Sequence, residues 1–405
     1  MLKIALFGCG GFAKNHIKEL SKRDDVIVQY FIDPSAENRN SLGNIYNTEK
    51  DIVPSGFDSL DEFLSSNPEF DAAIIVSPPK THFEIASAII KMGKSVYVEK
   101  PFTVDTEEAK KLCRQAKEKN VEIEIGANRC VFPAYRAAAK ALREGRIGDY
   151  KAVSMYYRHN WEGNTQNNWR QNSSEPAAGL LADHSPHYSH FLFTDLGFRP
   201  NEIRHMGTRF NEHGVDVDIC YGMMDEAGRA AYVVMDGSPS DDHREEVIKI
   251  YGSEGIIKIR FEGKSSSAYI EKDGKEEKIE IDSALEEIKS LGIKDFKSHP
   301  ALIHNFVALL NGEVQKNANP GREGIMPIYL TELVEKSRGK TKEDSLSKEE
   351  LQELSEQVND NGELDIEKMK EFFNRGKEMK VDSSIIGNES QENTTRNEIN
   401  RRFLR

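Results

Sequence analysis

The first sixteen residues, MLKIALFGCGGFAKNH, constrain the fold more than any other stretch of this chain. The apolar run Leu2–Phe7 reads as a buried parallel strand, Gly8-Cys9-Gly10-Gly11 as a turn, and the residues from Phe12 onward as a helix. Gly8, Gly10 and Ala13 stand at the small-residue positions of a GxGxxG/A dinucleotide fingerprint. In that reading Gly8 makes the tight turn, Gly10 lets backbone approach a pyrophosphate, and Ala13 keeps helix and strand close. The amides around Gly11, Phe12 and Ala13 then face the phosphates at the positive end of the helix.

Glycine also ends strands for ordinary turn reasons, so the fingerprint needs its context. A second apolar run, Val26 to Ile32, ends in Asp33, about twenty residues beyond the fingerprint, where a carboxylate accepts hydrogen bonds from an adenosine ribose. That carboxylate repels a 2′-phosphate, so NAD is the expected cofactor, while nearby Arg39 leaves NADP open. The alternative for Asp33 is a plain turn residue before Pro34. Further on, Phe57–Leu64 reads as a helix, Ala72–Ser77 as a strand, His82–Met92 as a helix and Val96–Val98 as a strand. A capping box at Asp105 and Glu108 then opens a helix, and Val121–Gly126 supplies another strand. This rhythm predicts an α/β Rossmann domain with a doubly wound parallel sheet over residues 1–128. Residues just past the strand ends line the ligand crevice of such a sheet, which makes Ser77, Pro78, His82, Glu99, Lys100 and Asn128 candidate cofactor contacts. Taken alone, Lys100 between a strand end and a proline reads more readily as a solvated turn.

With 405 residues, 38% of them hydrophobic, the chain is long enough to fill two cores. From Lys151 the pattern changes to alternating segments: Lys151–Tyr157, Asp216–Met224, Ala230–Met235, Glu246–Tyr251, Ile256–Phe261, Ala268–Glu271 and Lys278–Ile281. These predict an α+β domain over 129–338 with a large, mainly antiparallel open sheet. Helices over Ala301–Leu310 and Ile325–Lys336 are expected to pack back on the first domain. A net charge of −13 with no basic stripe argues against nucleic acid as a partner and suits small-molecule ligands. No apolar stretch reaches membrane-spanning length and a strand opens the chain, so neither a membrane nor a signal peptide is expected and a cytoplasmic location is. Cys9, Cys113, Cys130 and Cys220 lack CxxC spacing and are expected to be reduced.

Asp183 and His187 lie four apart, on one face of the helix-like stretch Gly179–Leu196. Pro186 is tolerated there if the helix starts near Asp183, because first-turn amides lack helical partners. Asp183 then holds the imidazole in one tautomer while His187 exchanges a proton with substrate; a surface pair with a capping role fits the same spacing. His184, His187 and His190 lack a second carboxylate or cysteine at ligand spacing, so no metal is expected. His159, Asn160, Trp161, Trp169 and Arg170 precede that helix on a loop suited to hydroxyl recognition and stacking on a sugar face. The plainer alternative is that the two tryptophans pin a long loop.

The segments GCGGFA, SPPKTH, EKP at Glu99–Pro101, FPAYRAAAKALREGRIGDYKAV and AGLLADHSPH occur in the order found in the Gfo/Idh/MocA family, which the chain resembles over about residues 1–335. The resemblance implies an NAD(P)-dependent dehydrogenase or reductase of a sugar, sugar derivative or cyclitol, with Lys100, Asp183 and His187 catalytic. Lys100 would hydrogen-bond the reacting oxygen, and His187 would take the hydroxyl proton while hydride leaves the same carbon for nicotinamide C4. It also makes Arg129, His159, Asn160, Trp161 and Arg170 expected substrate contacts beside those three; a histidine and an asparagine from this region contact substrate in inositol dehydrogenases. A homo-oligomer, dimer or tetramer, through the open face of the second sheet is implied too. Ser185 and His190 stand where the family has a glycine and a second acid, and Asn128-Arg129-Cys130 replaces a commoner pair of arginines; these departures bear on substrate class. Two other functions stay open, an NAD-assisted redox glycosidase and a non-catalytic nicotinamide-sensing regulator, and the joint presence of Lys100, Asp183 and His187 speaks against the latter.

Beyond the resemblance, Ser347 and Glu350 make a capping box, and Asn359–Asp365 leads into a further helical stretch, an EF-hand-like extension over 339–381. Aligning Gly362 to the loop glycine puts Gln357 and Lys368 at the first and last ligand positions, which disfavours calcium. Residues 382–405 are expected to be disordered.

Overall fold

A computed structural model describes residues 1–240, 243–262, 265–296 and 300–338. The expectations for 339–381 and 382–405 lie outside the described residues. Strands β1 (Leu2–Phe7), β2 (Val26–Ile32), β3 (Ser55–Phe57), β4 (Ala72–Ile75), β5 (Ser95–Val98) and β6 (Ile123–Ile125) form an all-parallel sheet in the order β3-β2-β1-β4-β5-β6. The crossovers carry α1 (Ala13–Leu20), α2 (Ala36–Lys50), α3 (Leu60–Ser65), α4 (His82–Lys91) and α5 (Thr106–Lys119). Because helices cover both faces, β4 and β5 are buried at every position, which is why their sequences read as short unbroken runs. The strand order reverses between β1 and β4, and a ligand crevice opens at the carboxyl ends on either side of that point.

After α6 (Pro133–Arg143) the chain builds an eight-stranded sheet in the order β14-β13-β12-β11-β7-β10-β9-β8. Its strands are β7 (Tyr150–Arg158), β8 (Pro200–Phe210), β9 (Asp216–Asp225), β10 (Ala230–Asp236), β11 (Glu245–Gly252), β12 (Ile256–Glu262), β13 (Ser265–Lys272) and β14 (Lys275–Lys278). Every pairing is antiparallel except β7 with β10. Between β7 and β8 lie α7 (Trp161–Asn164) and α8 (Leu180–His190), and α9 (Asp282–Ser290), α10 (Leu302–Leu310) and α11 (Ile325–Ser337) follow the sheet. Ile303, Phe306 and Val307 of α10 join the core under β1 and β2, whereas Tyr329, Leu330 and Leu333 of α11 pack in the core of the second sheet. Among the described residues no helix is long and apolar enough to cross a membrane.

The structure corrects several element expectations. α8 starts at Leu180, so Pro186 is its seventh residue rather than part of its first turn, and the stretch ends in a π-helical turn over Phe191–Asp195. The last strand is Lys275–Lys278, not Lys278–Ile281. α2, α6, α7, β8 and α9 have no counterpart in the sequence reading, and Phe57 ends the short strand β3 instead of opening a helix, which starts at Leu60.

Candidate active site

At the first strand end, Gly8 has φ +91°, and a Cβ there would lie 2.6 Å from the backbone N of Ser77 on the neighbouring strand end. Only glycine fits that close approach. A Cβ on Gly10 or Gly11, by contrast, meets no atom within 4 Å, so the turn presents bare backbone to open space. α1 follows with Phe12 at its N-cap, no side-chain cap and no acidic residue in its first turn, leaving its positive end open to an anion. Asp33 closes this end of the crevice: Oδ2 accepts from the Cys9 amide at 2.7 Å and Oδ1 from the Ser35 amide at 2.8 Å. Arg39 is engaged by the Asp33 carbonyl and by Asp58 Oδ1 at 2.5 Å. A bare glycine turn, an uncapped helix end and a carboxylate at the next strand end fit a dinucleotide, and the carboxylate fits an unphosphorylated ribose.

The remaining strand ends hold Ser77 and Pro78 after β4, Glu99 and Lys100 after β5, and Asn128 after β6. Two of the expected cofactor contacts are spent on the protein itself. His82 is 1% exposed, its Nε2 2.8 Å from the Ser77 carbonyl and its Nδ1 2.9 Å from that of Pro101, so it ties two strand-end loops together. Burial lowers its pKa. Glu99 is buried as well, with Oε1 2.9 Å from His16 Nε2 on α1, and so braces the crevice from behind.

Lys100 reaches across to α8, where its Nζ donates to Asp183 Oδ1 at 2.7 Å and to the Asp183 carbonyl at 3.1 Å. α8 is set in place from two sides: Asp216 of β9 accepts from the Leu181 amide at 2.8 Å, and Ser185 meets Thr331 of α11 at 2.9 Å. Arg170 Nε lies 3.1 Å from Asp183 Oδ1, and the Trp161 indole N–H donates to Oδ2 at 2.9 Å. Burial works against ionisation of Asp183, yet the charges of Lys100 and Arg170 outweigh it and hold the carboxyl well below the usual carboxylate range. Asp183 therefore serves Lys100, correcting the expectation that it orients His187. His187, four residues along the same face, has a buried Nδ1 without a hydrogen-bond partner. Burial, reinforced by the charges of Lys100 and Arg129, depresses its pKa well below the usual imidazole range and keeps it neutral.

Two expected substrate contacts, Trp161 and Arg129, are also revised. Trp161 is 1% exposed, so it offers no face to a sugar; it anchors the loop and aims Asp183. Asn160 caps α7 by accepting from the Gly163 amide at 3.1 Å. Arg129 is 4% exposed and pairs with Glu246 at 2.8 Å, its guanidinium lying over Phe132 and Phe261. Arg170 stays at the site, stacked 4.5 Å over Trp169, and the His159 ring lies 6.3 Å from that of His184. The histidine trio splits: His184 Nε2 meets the Tyr157 hydroxyl at 2.5 Å, while His190 lies 3.8 Å from Glu323. Among the described residues no three His, Cys, Asp or Glu side chains converge as metal ligands.

Tyr157, His184, Arg244 and Glu246 belong to the site although the sequence reading gave them no role in it. A signal for one was present. Glu246, Ile248 and Ile250 all point inward from β11, and a carboxylate that stays charged at a core position needs a cation beside it.

Residues 2–127 match the model of an oxidoreductase family with an NAD-binding Rossmann fold, and residues 135–258 match the GFO/IDH/MocA C-terminal domain, together more than half of the chain. An uncharacterized oxidoreductase of Synechocystis sp. is 29% identical over 198 residues, 47% of this chain and 51% of that protein. Inositol 2-dehydrogenase of Rhizobium meliloti is 24% identical over 154 residues, 38% of this chain and 44% of that one. These matches span about half the length of the relatives or less. The WlbA dehydrogenase of Bordetella pertussis, solved with NADH and UDP-GlcNAcA, superposes with a TM-score of 0.68 at 20% identity, covering 83% of this chain and 95% of that one. An oxidoreductase from Agrobacterium radiobacter, solved with NAD+, L-tartaric acid and magnesium, gives 0.69 at 15% identity, covering 86% and 98%. At such identities the likeness is one of fold. With both of its sheets matched to the two halves of one architecture, the chain belongs to the Gfo/Idh/MocA family of NAD-binding oxidoreductases.

Proposed function

We propose that the protein catalyses NAD-dependent oxidation or reduction of a secondary alcohol on a sugar, sugar derivative or cyclitol. The observation that carries this reading is the Lys100 ammonium held 2.7 Å from Asp183, beside a neutral His187, at the strand ends that line a dinucleotide crevice. NAD, held by the Gly8–Ala13 turn, Asp33 and the strand-end residues Ser77, Pro78 and Asn128, supplies the hydride acceptor or donor.

The other parts are the chain's own. Asp183, fixed by Trp161 and Arg170, holds the Lys100 ammonium in one position, ready to stabilise negative charge developing on the substrate oxygen. His187 is uncharged, so its ring takes the hydroxyl proton during oxidation and returns it during reduction. The Arg39 guanidinium is occupied by Asp58 and the Asp33 carbonyl, which supports NAD over NADP. Relatives named inositol 2-dehydrogenase and UDP-N-acetylglucosamine 3-dehydrogenase support a polyhydroxylated substrate. A second copy of the chain is the partner proposed for the open face of the eight-stranded sheet, where Met206, Met224 and Val234 are exposed.

The test is NADH absorbance on mixing protein and NAD with cyclitols, free sugars, sugar acids, sugar phosphates and nucleotide sugars. Turnover with at least one polyol is expected. Intact NAD binding with no turnover across the panel would contradict the reading.

A further inference from the structure

Building on that redox reading, we infer that the substrate carries an anionic group, a carboxylate or a phosphate, bound by Arg170 and Arg244 beside the reacting alcohol. The basis is an imbalance of charge. Each of two buried carboxylates is shared between two cations: Asp183 has Lys100 at 2.7 Å and Arg170 at 3.1 Å, and Glu246 has Arg129 at 2.8 Å and Arg244 at 3.7 Å. Each triad therefore keeps one positive charge, although the chain as a whole carries −13. Tyr157 links the two triads, since its hydroxyl meets His184, the neighbour of Asp183, and its ring lies 5.8 Å from the Arg244 guanidinium.

Among the described residues no further carboxylate pairs with these four cations. Burial, deepened by the charge of Lys100, keeps both His184 and His187 neutral. An oxidised nicotinamide is itself a cation, and the phosphates of the cofactor belong to the Gly8–Ala13 turn. Two of the four cations are placed to receive a ligand. Arg170 spends its Nε on Asp183 and is 25% exposed. Arg244 is 33% exposed, lies 4.8 Å over Phe261, and has a buried Nε without a hydrogen-bond partner. Guanidinium groups held over aromatic rings lose little freedom on binding and match the two oxygens of a carboxylate or phosphate.

The experiment titrates the NADH-loaded protein with glucose, glucuronate and glucose 6-phosphate by calorimetry. At least one acid is expected to bind about tenfold or more tightly than glucose, and the stronger of the two tells carboxylate from phosphate. Arg170→Gln and Arg244→Gln should each reduce that preference while NADH affinity stays at the wild-type level, which also reports that the variants fold. Glucose binding as tightly as both acids, neither acid binding measurably, or a preference that survives in both variants overturns the inference. Hydride transfer is read separately by NADH absorbance. Turnover without acid preference breaks this inference alone, and acid preference without turnover of any polyol breaks the redox reading alone.

Discussion

Asp183 is the residue on which the site turns, because one carboxylate receives an ammonium, a guanidinium and an indole N–H inside a buried pocket. Replacing Trp161 by Phe deletes the indole donor and leaves Oδ2 under-satisfied, so the Trp161→Phe variant should lose about 1–3 kcal/mol in chemical denaturation. Its kcat should fall while NADH affinity is unchanged, because Trp161 acts through Asp183. His187 gives a pH prediction. Its pKa is depressed and, in the role proposed for it, the neutral form accepts the proton, so oxidation should be lost only as pH falls through that lowered value. The acid limb of kcat/KM should therefore lie below the ordinary imidazole value of about 6.5, and a limb above it would contradict the assignment. The spacing of Asp183 and His187 made their shared helix face legible in the sequence. It could not show that Lys100, eighty-three residues away, wins the carboxylate, because partner choice is decided by the packing of one sheet's strand ends on another element's helix.

Among the elements, the turn between β1 and α1 separates structural from binding demands residue by residue. An Ala at Gly8 would combine a left-handed φ with a contact of 2.6 Å to backbone, so Gly8→Ala should cost about 3 kcal/mol or more and lower the melting temperature sharply. An Ala at Gly10 projects into open space, so Gly10→Ala should melt as wild type yet bind NADH more weakly in a fluorescence titration. This turn and the strands around it were legible because buried parallel strands leave unbroken apolar runs. α2 was not, since only Leu42 and Tyr46 of its fifteen residues are buried and the rest reads as polar loop. β8 escaped for a related reason: at the sheet edge it buries Pro200 and Ile203 and little else, so no alternation marks it. The misplaced β14 is fully exposed, and Ile279, which carried the apolar signal, lies just beyond it.

At the scale of the whole molecule, α8 is the link between the two sheets. Asp216 of the second sheet caps its start, Lys100 of the first reaches its Asp183, and α11 packs along its side. The opposite face of the eight-stranded sheet exposes Met206, Met224 and Val234, a patch suited to a second copy of the chain. Light scattering should return a dimer or tetramer, and Met224→Lys with Val234→Lys should shift it toward monomer without moving NADH affinity; a wild-type monomer would contradict the proposal. The role of Lys100 is read from a comparison of wild type with Lys100→Ala, measuring NADH affinity by fluorescence and turnover by absorbance on the same samples. Lys100→Ala should leave NADH affinity unchanged and lower kcat by about 10²–10³-fold. Turnover preserved in the variant at wild-type cofactor affinity would contradict it.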